Sequence, residues 1–292
     1  MNGRLRWNAQ VAANVEVRLC VLDRLSACQD DALTTRTGAD GAFSLSQVPP
    51  GEYSVAIQAP PSNDFFYLTA GAFVEPAQYT VEDGGMLDLG DQAIYRLDLE
   101  VDSPQHNSFI TDANPVLTWQ AYPGAEYYEV SLAPAYGDPI LSNARVYSPS
   151  LAVETALLGC PYTWWVEAFD EQNGKLAENG RPSQFTVEGQ SASCVIDGLA
   201  PADGARISGN PLALAWAPHP LAQSYRVTLW RENGQDDAAD EELVLYLSPA
   251  SRPTTPLAGP LSPGDYAWTV NAYSPEGAQI AGSEPAEFTV GR

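Results

Sequence analysis

The stretch Tyr162–Asp170, YTWWVEAFD, returns at Tyr266–Ser274 as YAWTVNAYS. In both copies Tyr, Trp, Val and Ala hold alternate positions: Tyr162, Trp164, Val166 and Ala168 in the first, Tyr266, Trp268, Val270 and Ala272 in the second. Successive side chains of a strand point to opposite faces, so these four share one face, and their character makes it the face turned to a core. The letters between them point outward, and there the copies part, with Trp165 in the first and Thr269 in the second. The pattern predicts two copies of one β-domain, in which the shared letters hold the fold and the unshared ones are candidates for function.

The repeat extends in both directions. NPVLTWQAYPGAEYYEVSL aligns with NPLALAWAPHPLAQSYRVTL, placing Trp119 over Trp216, Tyr128 over Tyr225 and Val130 over Val227, and FTV at Phe185–Val187 aligns with FTV at Phe288–Val290. The second copy has a longer middle, where RENGQDDAADEE sits. An early strand with a buried Trp, a Y-x-V-x-L strand and a late Y-x-W-x-V-x-A strand, followed by a Gly-containing turn and a last strand, make each copy resemble the fibronectin type III family of β-sandwiches. The first hundred residues read differently. NVEVRLC alternates, TRTGADGAFSLSQVPPGEYSVAIQA gives strands separated by turns, and GGMLDLGDQAIYRLDLEV closes the unit. Gly41 and Gly51 permit turn geometries that a side chain resists, while Phe43, Leu45, Tyr53, Val55 and Ile57 face one way. This segment resembles the carboxypeptidase regulatory-like, or prealbumin-like, domain, a resemblance that implies a sandwich usually without peptidase activity of its own. The expected architecture is all-β: three tandem β-sandwich domains in a fairly extended string, covering 1–98, 99–190 and 191–292.

Charge narrows the partners. Asp and Glu number 37 against 14 Lys and Arg, a formal net charge of −23, and a single lysine, Lys175, is present. Nucleic-acid binding rests on neutralising phosphates, so a nucleic-acid partner is not expected. No apolar run reaches the roughly 18 residues that a spanning helix needs, and no membrane insertion within the chain is expected. MNGRLRWNAQ has no apolar leader core, so either the protein is cytosolic or a leader has been removed. The cysteines favour the second option. Cys20 and Cys28 bracket CVLDRLSAC; Cys160 precedes the strand YTWWVEAF and Cys194 follows SQFTVEG, so that a hairpin of those two strands brings this pair together. Bonds Cys20–Cys28 and Cys160–Cys194 imply an oxidising compartment, and hence an extracellular or cell-surface location. In the last domain Gly264 stands where Cys160 does.

No chemistry-bearing constellation emerges. His106 and His219, the only histidines, lie in proline-flanked stretches, SPQHNS and APHPLA, and neither a C-x-x-C nor a zinc-ligand spacing occurs. Neither an enzyme, a cofactor nor a metal centre is expected. The acidic stretch Asp236–Glu242 lacks the spacing and central glycine of an EF-hand and reads as a solvated loop, with calcium as the alternative. In NDFFYL, Asn63–Leu68, Phe66 is expected at the interface with the second domain. Tyr127, Trp165 and Phe169 are expected on one outer sheet face of the second domain, an aromatic platform for a protein or glycan ligand that the third domain replaces with Ser224, Thr269 and Tyr273. The competing reading has the loop APAYGDP cover these rings through Tyr136. The function expected is that of a non-catalytic stalk, adhesion or binding module. The alternatives are an accessory carbohydrate-binding region of a larger secreted hydrolase and, by self-association, a subunit of an extracellular filament.

Overall fold

The computed structural model describes residues 1–7, 10–21, 28, 33–58, 65–68, 76–208, 213–232, 242–250, 253–257 and 259–291. Every regular element among them is a strand. The first nine are β1 (Asn2–Trp7), β2 (Gln10–Val11), β3 (Glu16–Cys20), β4 (Leu33–Arg36), β5 (Ala42–Ser44), β6 (Gly51–Gln58), β7 (Phe65–Tyr67), β8 (Tyr79–Val81) and β9 (Asp88–Ile94). One sheet groups β2, β5 and the parallel β9 around β1; the other runs β4-β3-β6-β7, with β8 also on β6. The alternate residues Phe43, Leu45, Tyr53, Val55 and Ile57 all reach the core between these sheets, beside Leu5, Val17 and Ile94. Gly41 is obligatory at its turn, because its φ is +78° and a Cβ there would run into the carbonyl oxygen of Leu5.

The next nine strands are β10 (Val101–Ser103), β11 (Ser108–Ile110), β12 (Val116–Trp119), β13 (Tyr127–Pro134), β14 (Leu141–Val146), β15 (Ser150–Ala152), β16 (Pro161–Phe169), β17 (Lys175–Glu178) and β18 (Ser183–Val187). Sheet β10-β12-β15 packs on sheet β11-β18-β16-β13-β14, and β17 continues along β16. The last eight are β19 (Ala205–Ile207), β20 (Ala213–Ala215), β21 (Ser224–Glu232), β22 (Glu242–Ala250), β23 (Thr254–Pro256), β24 (Gly264–Tyr273), β25 (Gln279–Gly282) and β26 (Ala286–Val290). Their order repeats the second sandwich: β20-β23 against β19-β26-β24-β21-β22, with β25 on β24.

The repeated letters build repeated geometry. Trp119 meets Tyr128 edge-on at 5.3 Å and Trp164 at 6.4 Å; Trp216 meets Tyr225 edge-on at 5.2 Å and Trp268 at 6.4 Å. Tyr162 lies over Phe185 at 5.5 Å, and Tyr266 over Phe288 at 5.6 Å. The same tyrosine device occurs in all three sandwiches. Each hydroxyl donates to a carbonyl four residues upstream: Tyr53 to Pro49 at 3.0 Å, Tyr162 to Leu158 at 3.3 Å and Tyr266 to Ser262 at 2.8 Å. Such a corner fixes the chain where it enters a central strand, and it lets a large ring be buried with its one polar atom satisfied.

Both disulfides form as the spacing predicts, with Cα separations of 5.0 Å for Cys20–Cys28 and 5.5 Å for Cys160–Cys194. Cys160 exchanges backbone hydrogen bonds with Val187 across the β16–β18 hairpin, and the chain then folds back so that Gly159 N–H donates to Ala192 O at 2.8 Å, which delivers Cys194 to its partner.

Trp119 and Trp216 are 2% and 4% exposed. Cutting either to alanine is expected to remove about 3–5 kcal/mol from its own sandwich, measured by denaturant unfolding. A near-neutral Trp216→Ala would contradict the equivalence of the two cores.

Candidate functional site

Strands β13 and β16 set the outer face of the second sandwich. Antiparallel pairing puts Tyr127 opposite Phe169, Glu129 opposite Glu167 and Ser131 opposite Trp165. The Tyr127 and Phe169 rings stack at 5.1 Å, only 4° from parallel. Arg145 of β14, paired with Glu129 of β13, places its guanidinium carbon 3.9 Å from the Tyr127 ring centroid and donates to Glu129 at 3.0 Å. The Tyr127 hydroxyl donates to Asn173 Oδ1 at 3.1 Å. Tyr127 is therefore just 4% exposed, although it stands on the outer face as expected. The expectation of an open ring is corrected: Phe169 and Arg145 cover Tyr127, since a cation over a ring gains both area and charge attraction.

Trp165 is partly buried and does not join that stack. Residues four apart along a strand are about 13 Å apart, and Glu167, bound to Lys175, lies between Trp165 and Phe169. The ring left most open beside the stack is Tyr147, 71% exposed and 6.4 Å from Tyr127. The loop with Tyr136 does not cover these rings. Tyr136 instead packs on the third sandwich, so closely that a Cβ on Gly282 would lie 3.1 Å from its ring.

The remaining polar chemistry gathers where the sandwiches meet. At the first joint, residues 96–99 pair with β17 as an added parallel strand: Arg96 N–H donates to Leu176 O at 3.0 Å, Glu178 N–H to Arg96 O at 2.9 Å and Leu99 N–H to Glu178 O at 3.2 Å. Gly180 permits this approach, since a Cβ there would sit 2.8 Å from that of Leu97. Arg96 lies over the Trp7 ring at 4.8 Å, and the Tyr122 hydroxyl donates to Asp98 at 2.8 Å. Lys175 binds Glu167 and Glu178 while its ammonium sits 3.9 Å from the Tyr95 ring centroid. Burial by itself would lower the Lys175 pKa, but the two carboxylates outweigh it and hold the ammonium charged. Burial, reinforced by Asp98, raises the Tyr122 phenol so that it stays a donor. Trp7, Arg96, Asp98 and Tyr122, with Leu176, line a cleft of about 470 Å³ at this joint. Phe65 is not part of it. It lies under Arg18, 3.8 Å from the guanidinium carbon, within the first sandwich; Asn63, Asp64 and the Phe66 side chain fall outside the described residues.

The second joint repeats this plan. Ile196 N–H donates to Gly282 O at 2.9 Å and Gly282 N–H to Cys194 O at 3.0 Å, so the linker again extends the sheet beside the penultimate strand, β25. His219 holds the place of Tyr122, three residues after the core Trp and before a Pro. Each has its backbone N–H bonded to a core tyrosine hydroxyl at 2.8 Å, Tyr128 for Tyr122 and Tyr225 for His219. Each side chain then grips the incoming linker, with His219 Nε2 2.9 Å from Ser193 O. Its Nδ1 accepts from Leu221 N–H at 3.3 Å, which makes Nε2 the protonated nitrogen. Across the joint, Asp138 N–H donates to Gln279 O at 2.8 Å and Gln279 N–H donates back to Asp138 Oδ2 at 2.9 Å. The other histidine, His106, is exposed and accepts from Gln184 N–H at 3.1 Å. Among the described residues no three of His, Cys, Asp and Glu converge as metal ligands. The acidic stretch Asp236–Glu242 lies outside the described residues apart from the backbone of Glu242, which opens β22.

Sequence reasoning missed the joint residues. The available signals were the lone lysine and the aligned pair Y-P and H-P, three residues past each core Trp.

No protein-family profile matches the chain, and none of the curated proteins does. Among solved structures it is similar to a two-domain fibronectin type III segment of chicken tenascin, at 18% identity over 67% of this chain and 98% of that one, with a TM-score of 0.27. It is also similar to the FN1–FN3 domains of chicken CNTN1, at 14% identity over 97% and 92%, with a TM-score of 0.25. The sandwich architecture rests on strand order and register, not on these overlaps.

Replacing Lys175 by methionine leaves Glu167 and Glu178 facing each other and is expected to cost about 1–3 kcal/mol, measured as the shift of the second sandwich's unfolding midpoint. A shift under a few tenths would show the cluster to be ornamental. His219 titrates below its ordinary value because burial disfavours the imidazolium, against the opposing bond to Ser193. The unfolded state, titrating near about 6.5, takes up the proton first, so stability is full above that pH and falls as the pH drops toward the folded value. The third sandwich should therefore lose melting temperature as the pH falls below about 6.5. His219→Gln, which keeps a donor to Ser193, should flatten that slope.

Proposed function

We propose that this chain is a non-catalytic stalk of an extracellular or cell-surface protein, in which a carboxypeptidase regulatory-like sandwich (1–98) precedes two fibronectin type III-like sandwiches (99–190 and 191–292). The observation that carries this reading is the construction of the joints. A flexible tether leaves its linkers to solvent, whereas here residues 96–99 and 194–196 are hydrogen-bonded into the sheet of the following sandwich. Side chains lock both ends of each linker: Lys175, Arg96 and Tyr122 at the first joint, and His219 with the Cys160–Cys194 bond at the second. A spacer that must hold its distal parts at a fixed distance needs joints of this kind, because relative motion is otherwise the default for neighbouring domains.

The disulfides support residence in an oxidising compartment. The carboxypeptidase regulatory-like reading of the first sandwich rests on GADGAFSLSQVPPGEYSV, whose Gly41 turn and Tyr53 corner fix the strands around it. On the outer face of the second sandwich, the surface open to a protein or glycan partner is Trp165 and Tyr147, with Phe169 serving mainly to pack Tyr127.

Small-angle scattering tests the stalk. The intact protein is expected to fit one narrow distribution of maximum dimension, and the Cys160→Ser/Cys194→Ser double variant to broaden it while each sandwich stays folded. An intact protein that already requires a broad ensemble of bent forms would sink this reading.

A further inference from the structure

The second joint encloses a cleft of about 520 Å³ that the stalk reading leaves unused. Ile140, Leu157 and Leu158 of the second sandwich face Leu221, Pro275 and Ile280 of the third across it. Leu221 is 54% exposed, a large apolar side chain left in solvent beside other apolar walls. The reciprocal Asp138–Gln279 hydrogen bonds, the Cys160–Cys194 bond and the Ile196–Gly282 pairing fix the position of one wall relative to the other. The cleft is thus preformed, and a ligand entering it does not bear the cost of ordering its walls.

Charge decides what suits it. Asp138 and Glu276 stand exposed at the rim, and none of the described lining residues is a lysine or arginine. Of the described cations on the strands leading to this joint, Arg145 pairs with Glu129 and Arg226 lies over the Tyr273 ring, and neither lines the cleft. In a chain of net charge −23, a low-dielectric cleft with acids at its mouth concentrates a negative potential. Its volume falls within the roughly 300–1,000 Å³ of small-molecule sites, so the occupant it suits is a small molecule. We infer that the cleft between the second and third sandwiches binds a small apolar molecule carrying a positive charge, its apolar body between Leu158, Leu221 and Ile280 and its cationic group toward Asp138 and Glu276. This site is independent of whether the chain serves as a stalk.

Isothermal titration of the whole chain with octyltrimethylammonium, octanoate and octanol, each below its aggregation threshold, tests it. The ammonium ion is expected to bind saturably and at least about tenfold more tightly than octanoate, a difference of about 1.4 kcal/mol. Asp138→Asn/Glu276→Gln should abolish that preference while keeping octanol binding, because the asparagine still accepts from Gln279 N–H. Ala278→Trp and Ala156→Trp, exposed positions on opposite walls, should each block all three ligands without altering the melting profile. No saturable binding of the ammonium ion, binding unchanged in both tryptophan variants, or octanoate bound as tightly as the ammonium ion would each overturn the inference.

Discussion

The pairing of each linker with the penultimate strand of the next sandwich is the constraint on which the arrangement depends. Strands β17 and β25 are short edges, and an edge left open exposes unpaired N–H and C=O groups. Arg96–Leu99 and Cys194–Ile196 supply partners for those groups, so the same hydrogen bonds that finish the sheet also fix where the preceding sandwich stands. Fold completion and interdomain geometry become one event. Everything else at the joints, from the Tyr122–Asp98 bond to the His219–Ser193 bond, reinforces a path that the backbone has already set.

The two joints share this backbone plan but differ in side-chain chemistry. The first is polar and charged, with Lys175 held between Glu167 and Glu178 and Arg96 over Trp7. The second is apolar and covalently tied, with Leu157, Leu221 and Ile280 around a cleft and Cys194 bonded to Cys160. In a chain with 14 basic residues against 37 acidic ones, cations are scarce, and spending the sole lysine inside a joint is a structural use of charge. A partly buried ammonium between two carboxylates avoids the large desolvation cost of an unpaired ion and gives direction to the contact, in contrast to exposed surface pairs, which contribute little.

The outer face of the second sandwich shows how packing redefines an exposed position. Tyr127 has the outward register that its strand dictates, yet it is as buried as a core residue because Phe169 and Arg145 cover it from neighbouring strands. Facing outward and being accessible are separate properties, the first set by period and the second by what the adjacent strands carry.

The period-two pattern of YTWWVEA and YAWTVNA, the repeated core Trp and the turn glycines determined the all-β class, the inner faces and the equivalence of the last two sandwiches, because alternation and turn chemistry are local properties of the chain. The cysteine spacing pointed to both disulfides: Cys20 and Cys28 bracket a short stretch, and the hairpin that Cys160 and Cys194 flank brings its own ends together. The cover over Tyr127, the contacts of Tyr136 and the roles of Lys175, Tyr122 and His219 were decided by the tertiary structure alone. Each depends on residues brought together from separate strands or separate sandwiches, such as Asp138 with Gln279 or Trp7 with Arg96. No periodicity within one segment records which distant side chain will arrive beside it.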